Sequence, residues 1–260
     1  MVTTDNLYII MPVKDAMDMA EQAIQAIVAS GYRPCVYDDY SSPETAQRLD
    51  TLAADWGIEV IHIADYIQHP SPNYRWVLQH AQQVALAQGS RLVIIESDVL
   101  VGNETIQRLS DAVREGVGMV AAVTHNDADA INFPYEYASR LQHRHGNVTI
   151  ATKKRFSFCC TLLTHELLQA LDFRLLDPTK DWYDVTISHQ SVAQGFQNLL
   201  MLDNPVLHKP HSSRPWKQLK YKHPLLYYWR KLAQHSDKIC DRLSASSSLS
   251  TTRLPILKRH

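Results

Sequence analysis

Cysteine is scarce in this sequence, and what there is does not pair. Cys35, the adjacent Cys159 and Cys160, and Cys240 are all the chain contains, with no C-x-x-C spacing among them. No disulfide framework can be read from such positions, so free thiols and a reducing compartment are expected. Long apolar runs are missing too: none approaches the roughly 18 residues that a membrane span requires. The opening MVTTDNLYIIMPVKDA carries neither a basic leader nor an apolar stretch of signal-peptide length. These absences point to a cytoplasmic protein. No internal repeat is visible.

Net charge is also small, −1 over 260 residues, but it is unevenly spread. From Pro205 to the end there are 12 Lys+Arg against 2 Asp+Glu, which leaves 14 basic and 25 acidic residues in positions 1–204. A basic annex of about +10 thus follows an acidic body of about −11, an asymmetry able to attract phosphate-bearing molecules or anionic surfaces. The hydrophobic fraction, 45%, is ordinary for a globular chain of this length and suffices for a substantial core.

Taken in order, the chain alternates short apolar runs with stretches of helical period. Strands are expected at residues 7–12 (LYIIMP), 34–37, 58–63, 92–101 (LVIIESDVLV), 117–123, 156–163 and 199–207. Helices are expected at 16–30, 44–56, 74–88, 103–115, 164–171 and 185–195. Ser41 or Ser42 is a suitable cap for the second of these, with Pro43 at its first position. Residues 125–155 are polar and aromatic, and read as a partly looped excursion that builds a pocket. Such β-α alternation predicts right-handed crossovers and a mainly parallel, mixed sheet in a three-layer α/β/α domain. Residues 223–243 then form a basic amphipathic helix, followed by a Ser-rich end. Packing on its own domain and a role at a membrane surface or partner are both open to it.

Acids gather at comparable points of this pattern. Asp38-Asp39 follow the second strand, Glu96-x-Asp98 follow the apolar run of the fourth, and Asp181 and Asp184 precede a late helix. In open α/β sheets the ligand crevice lies beyond the carboxyl ends of the strands, so all three sets would face one edge. Each has a plain structural reading as well: a strand-end Asp often caps the next turn, and Asp-Asp-x-Ser-Ser-Pro is a good helix start.

The ordered set resembles the nucleotide-sugar glycosyltransferases of the GT-A fold, in particular glycosyltransferase family 2. The segments that carry the likeness are IIMPVKD, ending the first strand at Pro12, then VYDDYSSPET, the ESD of a D-x-D-type motif, DWYDVTISHQSVAQGF and VLHKPHSS. They cover residues 5–213, which gives an expected domain of 1–213 and an extension of 214–260. The resemblance implies a divalent cation, Mn²⁺ or Mg²⁺, held by Asp98 with His208 or His211 completing its shell. Glu96 would then meet the donor ribose or a metal-bound water. It further implies a donor site formed by Pro12, Asp38, Asp39 and Arg75, with one acid of the Asp38-Asp39 pair on the nucleotide and the other on the turn.

A general base is implied in the late segment. The usual Glu-Asp pair is replaced here by Asp181 and Asp184, three apart, and counting back from Gly195 favours Asp184 as the base, with the two roles exchangeable. The Q-x-x-R-W signature of processive synthases is absent, as is the glycine-rich, basic loop that a nucleotidyltransferase would carry in MPVKDAMDMA. The resulting expectation is an inverting transfer of a single sugar from a nucleotide-sugar donor, UDP-linked, to a glycan or lipid-linked acceptor in cell-envelope polysaccharide assembly. Peripheral membrane contact would run through the basic helix, with no nucleic acid partner. The competing reading is a protein of the same fold that binds a nucleotide sugar or glycan without turnover.

Overall fold

The computed structural model describes residues 6–209. In chain order the elements are β1 (Leu7–Val13), α1 (Met17–Ala29), β2 (Cys35–Asp38), α2 (Pro43–Trp56), β3 (Glu59–His62), α3 (Tyr74–Gln88), β4 (Arg91–Ile95), β5 (Val99–Leu100), α4 (Thr105–Asp111), β6 (Val117–His125), α5 (Ala138–His145), β7 (Thr149–Ala151), β8 (Cys160–Leu163), α6 (His165–Ala170), α7 (Tyr183–Ala193) and β9 (Gln197–His208). The extension expected from residue 214, its helix over 223–243, and His211 lie outside the described residues.

The strands form one mixed sheet in the order β3-β2-β1-β4-β8-β6-β9-β5, with β7 also pairing β9. Pairings β1·β2, β1·β4, β2·β3 and β6·β9 are parallel, while β8 runs antiparallel between β4 and β6. Period-two alternation divides the apolar side chains between two faces. Ile10, Leu92 and Ile94 pack with Val77, Leu78 and Ala81 of α3, and with α6 and α7, on one side. Ile9, Met11, Val93 and Ile95 pack with α1, α2 and α4 on the other. Each such side chain, wholly removed from water, contributes roughly 1.5–3 kcal/mol, which is why the central strands read as unbroken apolar runs.

Several local expectations hold for the reasons given. Ser42 caps α2, its side chain accepting from the Thr45 N–H, with Pro43 in the first turn and Gly57 at φ 61° closing the helix. Thr164 likewise caps α6. Pro12 is tolerated in a central strand because successive residues of a parallel strand bond to opposite neighbours. Val13 accepts from the Asp39 N–H on the β2 side, so the N–H that Pro12 lacks would face β4, beyond the last paired residues Ile10 and Ile94.

The bounds of three expected strands are corrected. The run 92–101 is not one strand: β4 stops at Ile95, a turn closed by Val99 N–H to Glu96 C=O follows, and β5 starts a new pairing with β9. Asp98, in that turn, is buried, 3% exposed. Residues 156–159 are not strand, because side chains take their backbone groups. Ser188 Oγ accepts the Phe156 N–H, and Tyr135 Oη both accepts the Ser157 N–H and donates to its carbonyl. The excursion at 125–155, read as partly looped, contains α5 and β7. The final strand is longer than expected, and at Asn204-Pro205 it carries a register shift.

Candidate metal and donor site

The pairing of β9 with its neighbours assembles the acids' surroundings. Along β6 the register runs Ala122 to Met201 and then Thr124 to Val206, so β9 carries three extra residues between the two matches. Those residues are held by α4 and by β7. Arg108 of α4 donates to the Asp203 carbonyl and to its carboxylate at 2.7 Å each, Thr149 Oγ1 donates to the other carboxylate oxygen, and Asn204 Nδ2 donates to the Thr105 carbonyl. Past the shift, β9 pairs β5 with His208 opposite Val99, and the Lys209 N–H donates to the Asp98 carbonyl. His208 is thereby delivered beside Asp98.

There the imidazole is oriented on both sides. Its Nδ1 donates to the Phe133 carbonyl at 2.7 Å, and Asn132 Nδ2 donates to the His208 carbonyl. A carbonyl can only accept, so this bond fixes a proton on Nδ1. Nε2 then faces Asp98 Oδ2 at 3.5 Å, with both side chains under 5% exposed. Both are ligand atoms that suit a divalent cation, and they lie close enough together to share one. A structural role and a ligand role for His208 are therefore compatible: one nitrogen serves each.

Glu96 comes from the other direction. Its N–H donates to the Cys159 carbonyl, extending the β4·β8 ladder by one step, and the Cys159 thiol lies 3.4 Å from Glu96 Oε2. One ligand atom from each of Glu96, Cys159 and His208 falls within 4.8 Å of the others. Carboxylate oxygens and an imidazole nitrogen suit Mn²⁺, and the oxygens suit Mg²⁺. The soft sulfur suits them less, and without an ion, burial first, and the Glu96 carboxylate next, hold the Cys159 thiol well above its ordinary value. It remains protonated and donates to Glu96. The donor set thus fits a hard divalent ion, with Asp98, His208 and Glu96 as the groups in reach.

The Asp38-Asp39 pair was expected to divide its work between turn and nucleotide. Within the fold each acid has its own partners. Asp38 accepts from the Ser41 N–H and from His62 Nδ1, whose Nε2 pairs with Asp50. Asp39 accepts from Ser71 Oγ, the Asn73 N–H and Asn73 Nδ2, and so anchors the loop that leads into α3. Burial opposes charge on His62, yet the Asp50 and Asp38 carboxylates outweigh it and raise the imidazole above its ordinary value.

Arg75, expected near the nucleotide, sits at the first turn of α3 with Nη2 donating to the Arg174 carbonyl. It faces the late acidic segment: Arg75, Asp177 and Asp181 all act on the Tyr183 hydroxyl, which burial raises most. Asp181 is exposed, and Lys180 Nζ lies 5.2 Å from the Trp182 ring centroid. Asp184 is half-buried in the first turn of α7, one helical turn before Ser188.

That spacing links the late acids to the metal site. Ser188 Oγ holds the Phe156 N–H, and only three peptide steps, at most about 11 Å, separate Phe156 from Cys159 beside Glu96. Cys159, Asn132, the Phe133 carbonyl and His62 escaped the sequence reading. Nothing local marks them, since their positions follow from strand register.

No family model matches the chain, and no curated protein matches it. Solved structures do. A mycobacterial protein aligns at TM-score 0.54 and 12% identity over 81% of this chain and 69% of that one. GalNAc-T7 with UDP, GalNAc and Mn²⁺ aligns at TM-score 0.59 and 12% identity, over 80% of this chain but 44% of its own. Glucosyl-3-phosphoglycerate synthase from Mycobacterium tuberculosis, with Mn²⁺, UDP and glucosyl-3-phosphoglycerate, aligns at TM-score 0.51 and 16% identity over 83% and 75%. At such identities the likeness is one of architecture: the chain has the GT-A fold of nucleotide-sugar glycosyltransferases.

Proposed function

We propose that the chain is a metal-dependent glycosyltransferase. It moves a single sugar, with inversion, from a UDP-linked donor to a glycan or lipid-linked acceptor in cell-envelope polysaccharide assembly. The observation that carries this reading is the buried confrontation of His208 Nε2 with Asp98 Oδ2 beside Glu96, at the carboxyl edge of a GT-A sheet. The solved structures of like fold, two of which hold UDP and Mn²⁺, support it.

In this reading Asp98 and His208 hold Mn²⁺ or Mg²⁺, and Glu96 binds the donor ribose or a water in the ion's shell. When bound, the ion neutralises charge gathering on the diphosphate as the glycosidic bond breaks. The Asp39 carboxylate keeps the 69–73 loop against the donor crevice, while Asp38 shapes the turn after β2. Arg75 orients the loop that carries Asp181. Asp184 accepts the proton of the acceptor hydroxyl as its oxygen attacks the anomeric carbon from the face opposite the leaving group. The excess of basic residues beyond Pro205 supports peripheral contact with an anionic membrane from the cytoplasmic side. Among the described residues no helix is long and apolar enough to cross a membrane.

The test is ligand-dependent thermal stability. UDP with Mn²⁺ should stabilise the wild type, and Asp98→Asn should abolish that response. Asp184→Asn should retain it while transfer is lost. A wild type indifferent to every nucleoside diphosphate would sink the donor site. Binding without turnover, whatever acceptor is offered, would leave a nucleotide-sugar binding protein instead.

A further inference from the structure

The described part of the chain is acidic, yet one segment of it is not. From Tyr137 to Arg155 there is no Asp or Glu, whereas Arg140, Arg144, Lys153, Lys154 and Arg155 fall within it, leaving nine Lys+Arg against 25 Asp+Glu in the rest of residues 1–204. All five cations are exposed, and among the described residues none of them has an ion-pair partner. Exposed cations gathered on a protein of opposite charge make a local field that collects anions.

The segment is also built into the rim of the site. Tyr137 Oη donates to the Arg155 carbonyl at 2.6 Å, which draws the end of the segment back to its start. Lys154 N–H donates to Thr152 Oγ1, and the Thr152 N–H donates to the Asn198 carbonyl of β9, so the Lys153–Arg155 backbone is tethered before it reaches Phe156. The next residue is the one held by Ser188, one turn along α7 from Asp184, and the chain then runs to Cys159 at Glu96. Lys153, Lys154 and Arg155 therefore immediately precede the stretch that runs past the Asp184 turn to the metal site, with Arg155 four peptide steps, at most about 15 Å, from Cys159.

We infer that the molecule entering by this route carries a phosphate group, and that Lys153, Lys154 and Arg155 receive it. A guanidinium fork and two ammonium groups offer several charge-assisted donors to phosphate oxygens. That this molecule is the sugar acceptor rests on the transferase reading; that an anion binds here does not. The phosphate belongs either to a lipid headgroup or to a water-soluble phosphomonoester.

Two probes separate these sources. The full chain, with EDTA present to keep the Asp98 site empty of metal, is titrated with phosphatidylglycerol vesicles diluted in phosphatidylcholine, and separately with glucose 6-phosphate. The comparison is the variant in which Lys153, Lys154 and Arg155 are all changed to Gln, which retains the basic residues beyond Pro205. At least one probe should bind the wild type, with affinity that falls as salt rises. The same probe should bind the triple variant about tenfold more weakly, the size of one moderate charge-assisted contact of about 1.4 kcal/mol. Stabilisation by UDP and Mn²⁺ should be equal in the two proteins. Wild type that binds neither probe, or a variant that binds both within about twofold, overturns the inference. Loss of anion binding in the variant, together with a wild type that ignores UDP and Mn²⁺, keeps the anion site and removes the transferase reading.

Discussion

At His62 a single side chain joins two elements and makes their union depend on pH. The imidazole bridges Asp38 at the end of β2 and Asp50 in α2, and its raised value means that the folded protein holds the proton more tightly than the unfolded chain does. The stabilisation is then fully present below the unfolded value of about 6.5 and is lost as pH rises through the folded one. Urea unfolding of the wild type and of His62→Gln should differ most near about pH 5.5 and least near about pH 8.5, a range in which the carboxylates stay ionised. A difference that grew with pH would contradict the bridge. Cys159 offers a second residue-scale prediction. Its thiol donates to Glu96 but is not suited to the ion, so Cys159→Ser, which keeps a donor, should leave the Mn²⁺ and UDP response within about twofold, and a complete loss would make the sulfur a ligand.

Among elements, the junction of β6 with α7 and β9 is the least forgiving. A Cβ added at Gly118 would lie 2.5 Å from Ser191 Oγ and 2.8 Å from Phe196 Cβ, and the second of these is fixed to the backbone. Gly118→Ala should therefore destabilise the protein by about 1–3 kcal/mol, measured by chemical denaturation, without altering UDP affinity at temperatures where the fold persists. Asp203→Ala acts differently. It removes the carboxylate that receives Arg108 and Thr149 at the β9 register shift, and His208 is positioned beyond that shift. We expect weaker Mn²⁺ binding from a substitution that touches no ligand, readable by Mn²⁺ titration against the paramagnetic broadening of His208.

What the sequence made legible at this scale follows from locality. The bounds of α3, the caps at Ser42 and Thr164 and the two-faced central strands are written in neighbouring residues. The end of β4 was misread because ESDVLV looks continuous with the apolar run, and only the distant partner β9 reveals that Val99 belongs to another pairing. Glu96 and Asp98 were visible as acids, and His208, 110 residues beyond Asp98, was reached only through the family likeness, while Cys159, 63 residues beyond Glu96, was not reached at all. No period or spacing announces such a meeting. For Asp38 and Asp39 the sequence suggested one acid on the turn and one on the nucleotide; the bonds of Asp38 to Ser41 and of Asp39 to Ser71 and Asn73 are the part that the fold itself supplies.

For the molecule as a whole, ligand linkage gives the cleanest number. If UDP and Mn²⁺ bind only the folded state, a hundredfold excess over Kd adds about 2.7 kcal/mol, or about 5–10 °C in Tm for a domain of this size. The gain should vanish with EDTA. Charge organisation, acidic over most of residues 1–204 and basic in 137–155, was only half visible in composition, because the basic segment was absorbed into a net acidic average.

The three extra residues of β9 have one more consequence, for the fidelity of strand pairing. Alternate side chains point to opposite faces, so a slip of one residue between β9 and β5 would exchange His208 for Lys209, whose ammonium now lies 3.5 Å from Asp127 on the other side. In the slipped register that ammonium would sit against Asp98 and occupy the place of the ion with a charge of the chain's own. The anchored shift thus also fixes which side chain of β9 meets Asp98: an imidazole able to share a cation with it, and not an ammonium that would neutralise it.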